Sequence, residues 1–124
     1  MAKKILIVDD ETAFLRILEK RIKIWGYDVI CIDNPLQAID LIKKEKPDLL
    51  IFDYKMPDLN GIELLEKIRE FDKTTPAFIF TAYPSSKAIR KSKELGVNSF
   101  ILKLQETSGL SASLRAAIED TIGK

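Results

Sequence analysis

The sequence predicts one doubly wound α/β domain: a five-stranded parallel sheet in the order 2-1-3-4-5 with helices on both faces. Three observations carry that expectation. Short apolar runs alternate with longer segments of helical period, the pattern of repeated βαβ units. Several of those runs are continuously apolar, as strands of a parallel sheet covered on both faces must be. The chain has 124 residues, 46% of them hydrophobic, which suits a single compact core and leaves no room for a second domain, so residues 1–124 read as one unit. Right-handed crossovers between such strands give the order 2-1-3-4-5.

The first strand is Lys4 to Val8. A helix follows over about Glu11 to Trp25, with Phe14, Leu18, Ile22 and Trp25 forming one apolar stripe before Gly26 stops it. The second strand is Asp28 to Ile32. Asn34 then serves as N-cap with Pro35 at the first helical position, and Leu36, Ile39, Leu41 and Ile42 are expected to face inward before "KKEKP" ends the helix. Its lysines suit the negative end of the helix dipole.

The third strand, Leu49 to Phe52, leads to a helix that begins after Asn60, with Glu63 completing a variant capping box and Ile62, Leu65 and Ile68 as its apolar face. The fourth strand is Ala77 to Phe80. The helix after it, about Ser86 to Leu95, offers only Ile89 and Leu95 as large apolar groups among many lysines, so it should pack loosely or bind something. The fifth strand, Ser99 to Leu102, precedes a helix over about Leu110 to Ile122 with Leu110, Leu114, Ile118 and Ile122 spaced by fours.

Composition excludes several functions. Lys plus Arg total 20 against 19 Asp plus Glu, so overall charge predicts neither a nucleic-acid nor an anionic-membrane surface. Histidine is absent, which removes histidine triads, His-ligated zinc and any phosphohistidine carried by this chain. The single cysteine, Cys31, reads as a small buried hydrophobe in a reducing compartment. The apolar run after "MAKK", Ile5 to Val8, is too short for a secretory or membrane-spanning segment, so the expected location is the cytoplasm, away from any membrane.

Doubly wound sheets bind ligands beyond the carboxyl ends of their strands, where the winding reverses between strands 1 and 3. Strand 1 ends in Asp9 and Asp10, strand 3 in Asp53, strand 4 in Thr81 and strand 5 in Lys103. Three carboxylates at one edge repel each other, and a protonated carboxyl or a captured cation relieves that. Hard oxygen ligands suit Mg²⁺, which combines one or two carboxylates with water and phosphate oxygens. The lysine and the threonine hydroxyl suit phosphoryl oxygens, and an ionised Asp53 can itself be the nucleophile. Singly, each residue has a duller use: Asp9 or Asp10 as a helix cap, Asp53 as the start of a turn in "MPDLNG", Thr81 and Lys103 as ordinary surface groups. Their joint placement at one edge favours function.

With those residues in view, "ILIVDDE", "DLLIFDYKMPDLNGIELL", "FIFTAY" and "SFILK" resemble the response-regulator receiver domain of bacterial two-component signalling, a CheY-like, flavodoxin-like (βα)5 sandwich, over nearly the whole chain. The resemblance implies that Asp53 is the phosphoacceptor. It implies that Asp9, Asp10, Asp53 and the backbone carbonyl of Lys55 hold Mg²⁺, that Lys103 contacts the phosphoryl group, and that Thr81 is the switch hydroxyl and Phe100 the switch aromatic. It also implies a donor, a histidine kinase or histidine phosphotransfer protein, and a downstream output protein or domain controlled through helix 4, strand 5 and helix 5. Catalysis would be confined to the domain's own phosphorylation and dephosphorylation. No nucleic acid is expected to bind, and a weak symmetric dimer through helices 4 and 5 is compatible with the sequence without being indicated by it.

Three points modify this expectation. The family's usual proline after the lysine is Leu104 here; a non-proline cis bond costs about 2.5 to 4 kcal/mol, so a trans bond is expected and the aim of Lys103 is in question. Lys55 and Tyr83, two residues after Asp53 and Thr81, are expected to obstruct water and slow self-dephosphorylation, the duller reading being solvated rim residues. Phe100 lacks the hydroxyl of the commoner tyrosine and loses no hydrogen bond to water when it turns inward. Among competing functions, an aspartate-nucleophile phosphatase of the haloacid dehalogenase type needs a second Asp where Lys55 stands. A flavin carrier needs a glycine- and hydroxyl-rich loop where "VDDETAF" is acidic. A phosphorylation-independent interaction module has Leu104 as its sole sequence support.

Overall fold

Five strands alternate with five helices in the computed structural model, which describes residues 2–82, 85–103 and 107–123, with the backbone alone at 107–111. The elements are β1 (Lys4–Val8), α1 (Thr12–Ile24), β2 (Asp28–Ile32), α2 (Pro35–Glu45), β3 (Leu49–Asp53), α3 (Gly61–Arg69), β4 (Ala77–Thr81), α4 (Ser86–Glu94), β5 (Ser99–Leu102) and α5 (Thr107–Ile122). All strand pairs are parallel and the order is β2-β1-β3-β4-β5.

Strand alternation sorts the core into two layers. Ile5, Ile7, Leu49, Ile51, Phe78 and Phe80 point to the face covered by α1 through Leu15, Leu18 and Ile22 and by α5 through Leu114 and Ile118. Leu6, Val8, Leu50, Phe52, Ala77 and Ile79 point to the other face, under Ala38 and Ile42 of α2 and Leu64, Leu65 and Ile68 of α3. β3 and β4 are buried throughout, whereas the edge strands β2 and β5 are covered in part. A parallel interior strand has no exposed face, and its apolar run says so.

The caps act where the sequence places them. Asn34 accepts from the Leu36 N–H at 2.8 Å with Pro35 buried behind it. Asn60 and Glu63 form a complete capping box, with reciprocal bonds of 2.8 and 2.9 Å. Gly26 follows α1 at φ +101°, a conformation that a side chain resists. At the opposite end of the sheet from Asp53, the Tyr27 hydroxyl donates to the Gly123 carbonyl at 2.7 Å and ties the end of α5 to the start of β2.

Several expectations need correction. Leu36 does not face inward: it is 56% exposed, because the buried stripe of α2 runs through Pro35, Ala38 and Ile42 at helical spacing and Leu36 falls outside it. α5 begins at Thr107, three residues before Leu110, whose side chain lies outside the described residues. β3 and β4 each extend one residue further, so Asp53 and Thr81 belong to the strands themselves. Leu15 carries more of the buried face of α1 than the half-buried Phe14 and Trp25. Cys31 is half-buried on the edge strand, and burial pushes its thiol up to about 11, which keeps it protonated and inert. α4 buries Ala88 and Ser92, the Ser92 hydroxyl donating to the Ala88 carbonyl at 2.8 Å, while Ile89 is exposed. Its sparse apolar anchoring matches the sequence. Among the described residues, no helix is long and apolar enough to cross a membrane.

Candidate functional site

The strand ends converge as the topology requires. One carboxylate oxygen from each of Asp9, Asp10 and Asp53 lies within 4.8 Å of the others. Asp9 follows β1 and is held by its N–H, which donates to the Ile32 carbonyl at 3.1 Å. Asp53 ends β3 at 5% exposure, and the next residue locks the strand on both sides: the Tyr54 N–H donates to the Phe80 carbonyl at 2.6 Å, and its carbonyl accepts from the Gly61 N–H at 2.8 Å. Asp10 is exposed and faces solvent. A cleft of about 420 Å³ lined by Asp10, Glu11, Asp53, Lys55, Met56, Pro57, Ala82 and Lys103 opens over the cluster.

Lys103 follows β5, which pairs with β4 so that Leu102 sits beside Thr81; its own N–H donates to the Thr81 carbonyl at 2.7 Å. Its ammonium lies 2.8 Å from Asp9 Oδ2, 2.8 Å from Glu11 Oε1 and 3.3 Å from Asp53 Oδ2. The ring of Phe14 lies beneath it at 4.6 Å from the centroid, braced edge-on by Phe80. Thr81 is buried at the end of β4.

Neither member of the acidic pair caps α1. Glu11 is the N-cap residue and makes no side-chain cap bond, while Asp9 Oδ1 accepts from the Glu11 N–H at 2.9 Å. The other oxygen, Asp9 Oδ2, is fully buried and meets the Lys103 ammonium at ion-pair distance, 2.8 Å. Burial raises the pKa of Asp9 against the opposing pull of Lys103 and the Glu11 N–H. Burial, then the neighbouring Asp9 charge, pushes Asp53 up to about 7 despite Lys103. Burial would lower the pKa of Lys103, but Asp9, Glu11 and Asp53 outweigh it and raise it.

Three clustered carboxylates share one ammonium, and the negative charge left over asks for a cation. The donor set is entirely hard oxygen. A divalent ion such as Mg²⁺ fits these residues on that chemistry.

Most residues singled out from sequence therefore share one site: Asp9, Asp10, Asp53, Thr81 and Lys103, with Lys55 exposed on the rim. Phe100 lies on β5, partly buried against the α2–α3 face. Tyr83 and Leu104 fall outside the described residues. Three residues escaped the sequence reading. Glu11 and Phe14 grip Lys103 from α1, and the signal for Glu11 was its adjacency to the acidic pair. Gly61 is the third: a Cβ there would strike the backbone carbonyl of Asp53, and a glycine at the first position of a helix, where it is a poor helix former, was the available clue.

Comparison with known proteins agrees with this geometry. The family described as response regulator receiver domain matches residues 5–115. Sporulation initiation phosphotransferase F of Bacillus subtilis (strain 168) is 41% identical over 96 residues, 77% of this chain and 77% of that protein. The transcriptional regulatory protein ZraR of Klebsiella oxytoca is 32% identical over 117 residues, which cover 94% of this chain but 26% of that longer protein. A solved response regulator receiver domain protein (CheY-like) from Methanospirillum hungatei JF-1 superposes with a TM-score of 0.86 at 29% identity, covering 98% of this chain and 97% of the other.

Proposed function

This chain belongs to the response regulator receiver domain family of two-component systems, and we propose that Asp53 is the residue on which it accepts a phosphoryl group. The observation that carries the proposal is a buried carboxylate fixed at a strand end, grouped with Asp9 and Asp10 and 3.3 Å from the Lys103 ammonium.

Asp9, Asp10 and Asp53, with the backbone carbonyl of Lys55, would hold Mg²⁺. The ion supplies charge neutralisation at the phosphoryl oxygens and lets the carboxylates stay ionised. The rest is done by the protein. β3 and the flanking Tyr54 bonds hold Asp53 so that one carboxylate oxygen faces the cleft; that oxygen forms the bond to phosphorus as the bond to the donor's imidazole nitrogen breaks. Lys103 and the Thr81 hydroxyl would then bind phosphoryl oxygens. No base has to remove a proton from the nucleophile. Lys55 stands where a hydrolase of the aspartate-nucleophile class would need its acid-base carboxyl, which supports a carrier over a turnover enzyme.

The donor in this reading is a phosphohistidine on a kinase or phosphotransfer protein. Kinship with a protein named as a phosphotransferase supports membership of a relay in which the group is passed on. Thr81 moving toward the phosphoryl group and Phe100 turning inward would shift the α4, β5 and α5 surface between two packings that a downstream partner reads.

Intact-protein mass spectrometry after incubation with acetyl phosphate and Mg²⁺ tests the assignment. One added phosphoryl group is expected, lost on Asp53→Asn and with a chelator. A folded wild-type chain that gains no phosphoryl group would instead support a phosphorylation-independent module.

A further inference from the structure

Lys103 has two sets of partners. One is the carboxylates of Asp9 and Asp53, which the proposed cation would also use. The other is Glu11, whose Oε1 accepts from Nζ at 2.8 Å and whose side chain is 62% exposed at the mouth of the cleft. The Asp9 Oδ1 bond to the Glu11 N–H fixes the backbone that carries this carboxylate, and the Phe14 ring forms a floor under the ammonium. A divalent cation and an ammonium on the same aspartates repel each other, so binding of the first must displace the second.

We propose that Glu11 is a positioning residue for Lys103: a berth that takes its ammonium when a divalent cation occupies the aspartates, and from which a phosphoryl group on Asp53 must recruit it. The inference rests on the phosphoacceptor reading above. It also bears on the question raised by Leu104, because Glu11 and Phe14 of the α1 region hold the ammonium of Lys103. Glu11 helps the cation by receiving the ammonium, and it hinders the phosphoryl group by competing for the same ammonium. The two effects have opposite sign and both run through Lys103.

The test is calorimetric titration of the full chain, first with Mg²⁺ alone and then with beryllium fluoride, a phosphoryl mimic, at saturating Mg²⁺. Wild type, Glu11→Gln, Lys103→Met and the double variant form a cycle, with Lys103→Gln as a second neutral replacement and circular dichroism to check folding. Glu11→Gln is expected to weaken Mg²⁺ about two- to fivefold and to tighten beryllium fluoride by a similar factor, the scale of an exposed ion pair. Both changes should vanish in the Lys103→Met background. If they persist there, Glu11 acts as a rim charge alone and the berth is refuted; no change in either affinity refutes it as well. Failure of the wild type to bind Mg²⁺ or beryllium fluoride at all would instead overturn the phosphoacceptor reading, and the berth with it.

Discussion

Replacing Asp53 with asparagine should make the metal-free protein more stable at pH 8, although it removes the proposed phosphoacceptor. Asp53 has a folded-state pKa of about 7 against 3.8 for an ordinary aspartate, chiefly through burial and then through Asp9. A raised pKa means that the folded state binds the proton more tightly. The carboxylate therefore adds no penalty below about pH 4, costs progressively more stability as pH rises toward 7, and levels off above it. Three pKa units correspond to a ceiling of about 4 kcal/mol. Lys103 rearrangement and water entry relax part of this, leaving an expected gain of about 1 to 2 kcal/mol, or roughly 4 to 8 °C in Tm. Thermal melts followed by circular dichroism in chelator at pH 8 and pH 5 measure it. At pH 5 about two-thirds of the gain should be gone, because folded Asp53 is already protonated. Saturating Mg²⁺ at pH 8 should close the gap by stabilising the wild type selectively. A variant no more stable than wild type at pH 8, or equally stabilised at both pH values, would refute the view that Asp53 is a destabilising buried charge.

Other outcomes follow from the same structure. Gly61→Ala should push the end of β3 away, costing about 1 to 3 kcal/mol and slowing acetyl phosphate labelling; wild-type melting and labelling together would contradict the clash with the Asp53 carbonyl. Asp72, whose carboxylate accepts from the Thr74 and Thr75 N–H groups and from the Thr75 hydroxyl, is held below its usual range because those bonds outweigh its burial. Asp72→Ala should therefore cost about 1 to 2 kcal/mol at pH 7 and progressively less as pH falls through the folded-state pKa, a trend that denaturant melts would reveal. Replacing Lys55 and Tyr83 with alanine together should shorten the phosphoryl half-life several-fold, read by mass spectrometry after donor removal; an unchanged half-life would make both ordinary rim residues.

The order of elements was legible because each carries its period openly: β3 is an uninterrupted apolar run, and Asn60 with Glu63 announces α3 four residues before its first buried leucine. Asp9, Asp53, Thr81 and Lys103 were legible because a parallel sheet delivers every strand to the same edge, so position in sequence translates directly into position in space. Leu36 was misread because hydrophobicity alone does not say which way the first turn of a helix faces. Glu11 and Phe14 were invisible as partners of Lys103 because 92 and 89 residues separate them from it, and no local rule records such a meeting. Gly61 was hidden for a related reason: its need for a missing side chain comes from the backbone of another element.

The bond from the Tyr27 hydroxyl to the Gly123 carbonyl has a practical side. It anchors the end of α5 beside the point where β2 begins, at the face of the molecule where the strands start. The five-residue β3 separates that face from Asp53 by about 13 Å of strand. The protein can therefore be tethered to a sensor surface or labelled with a dye by that end while the acidic cleft stays turned toward solution, open to kinase, metal and phosphoryl mimic alike. Weakening the anchor with Tyr27→Phe would loosen the tether before it disturbed the chemistry.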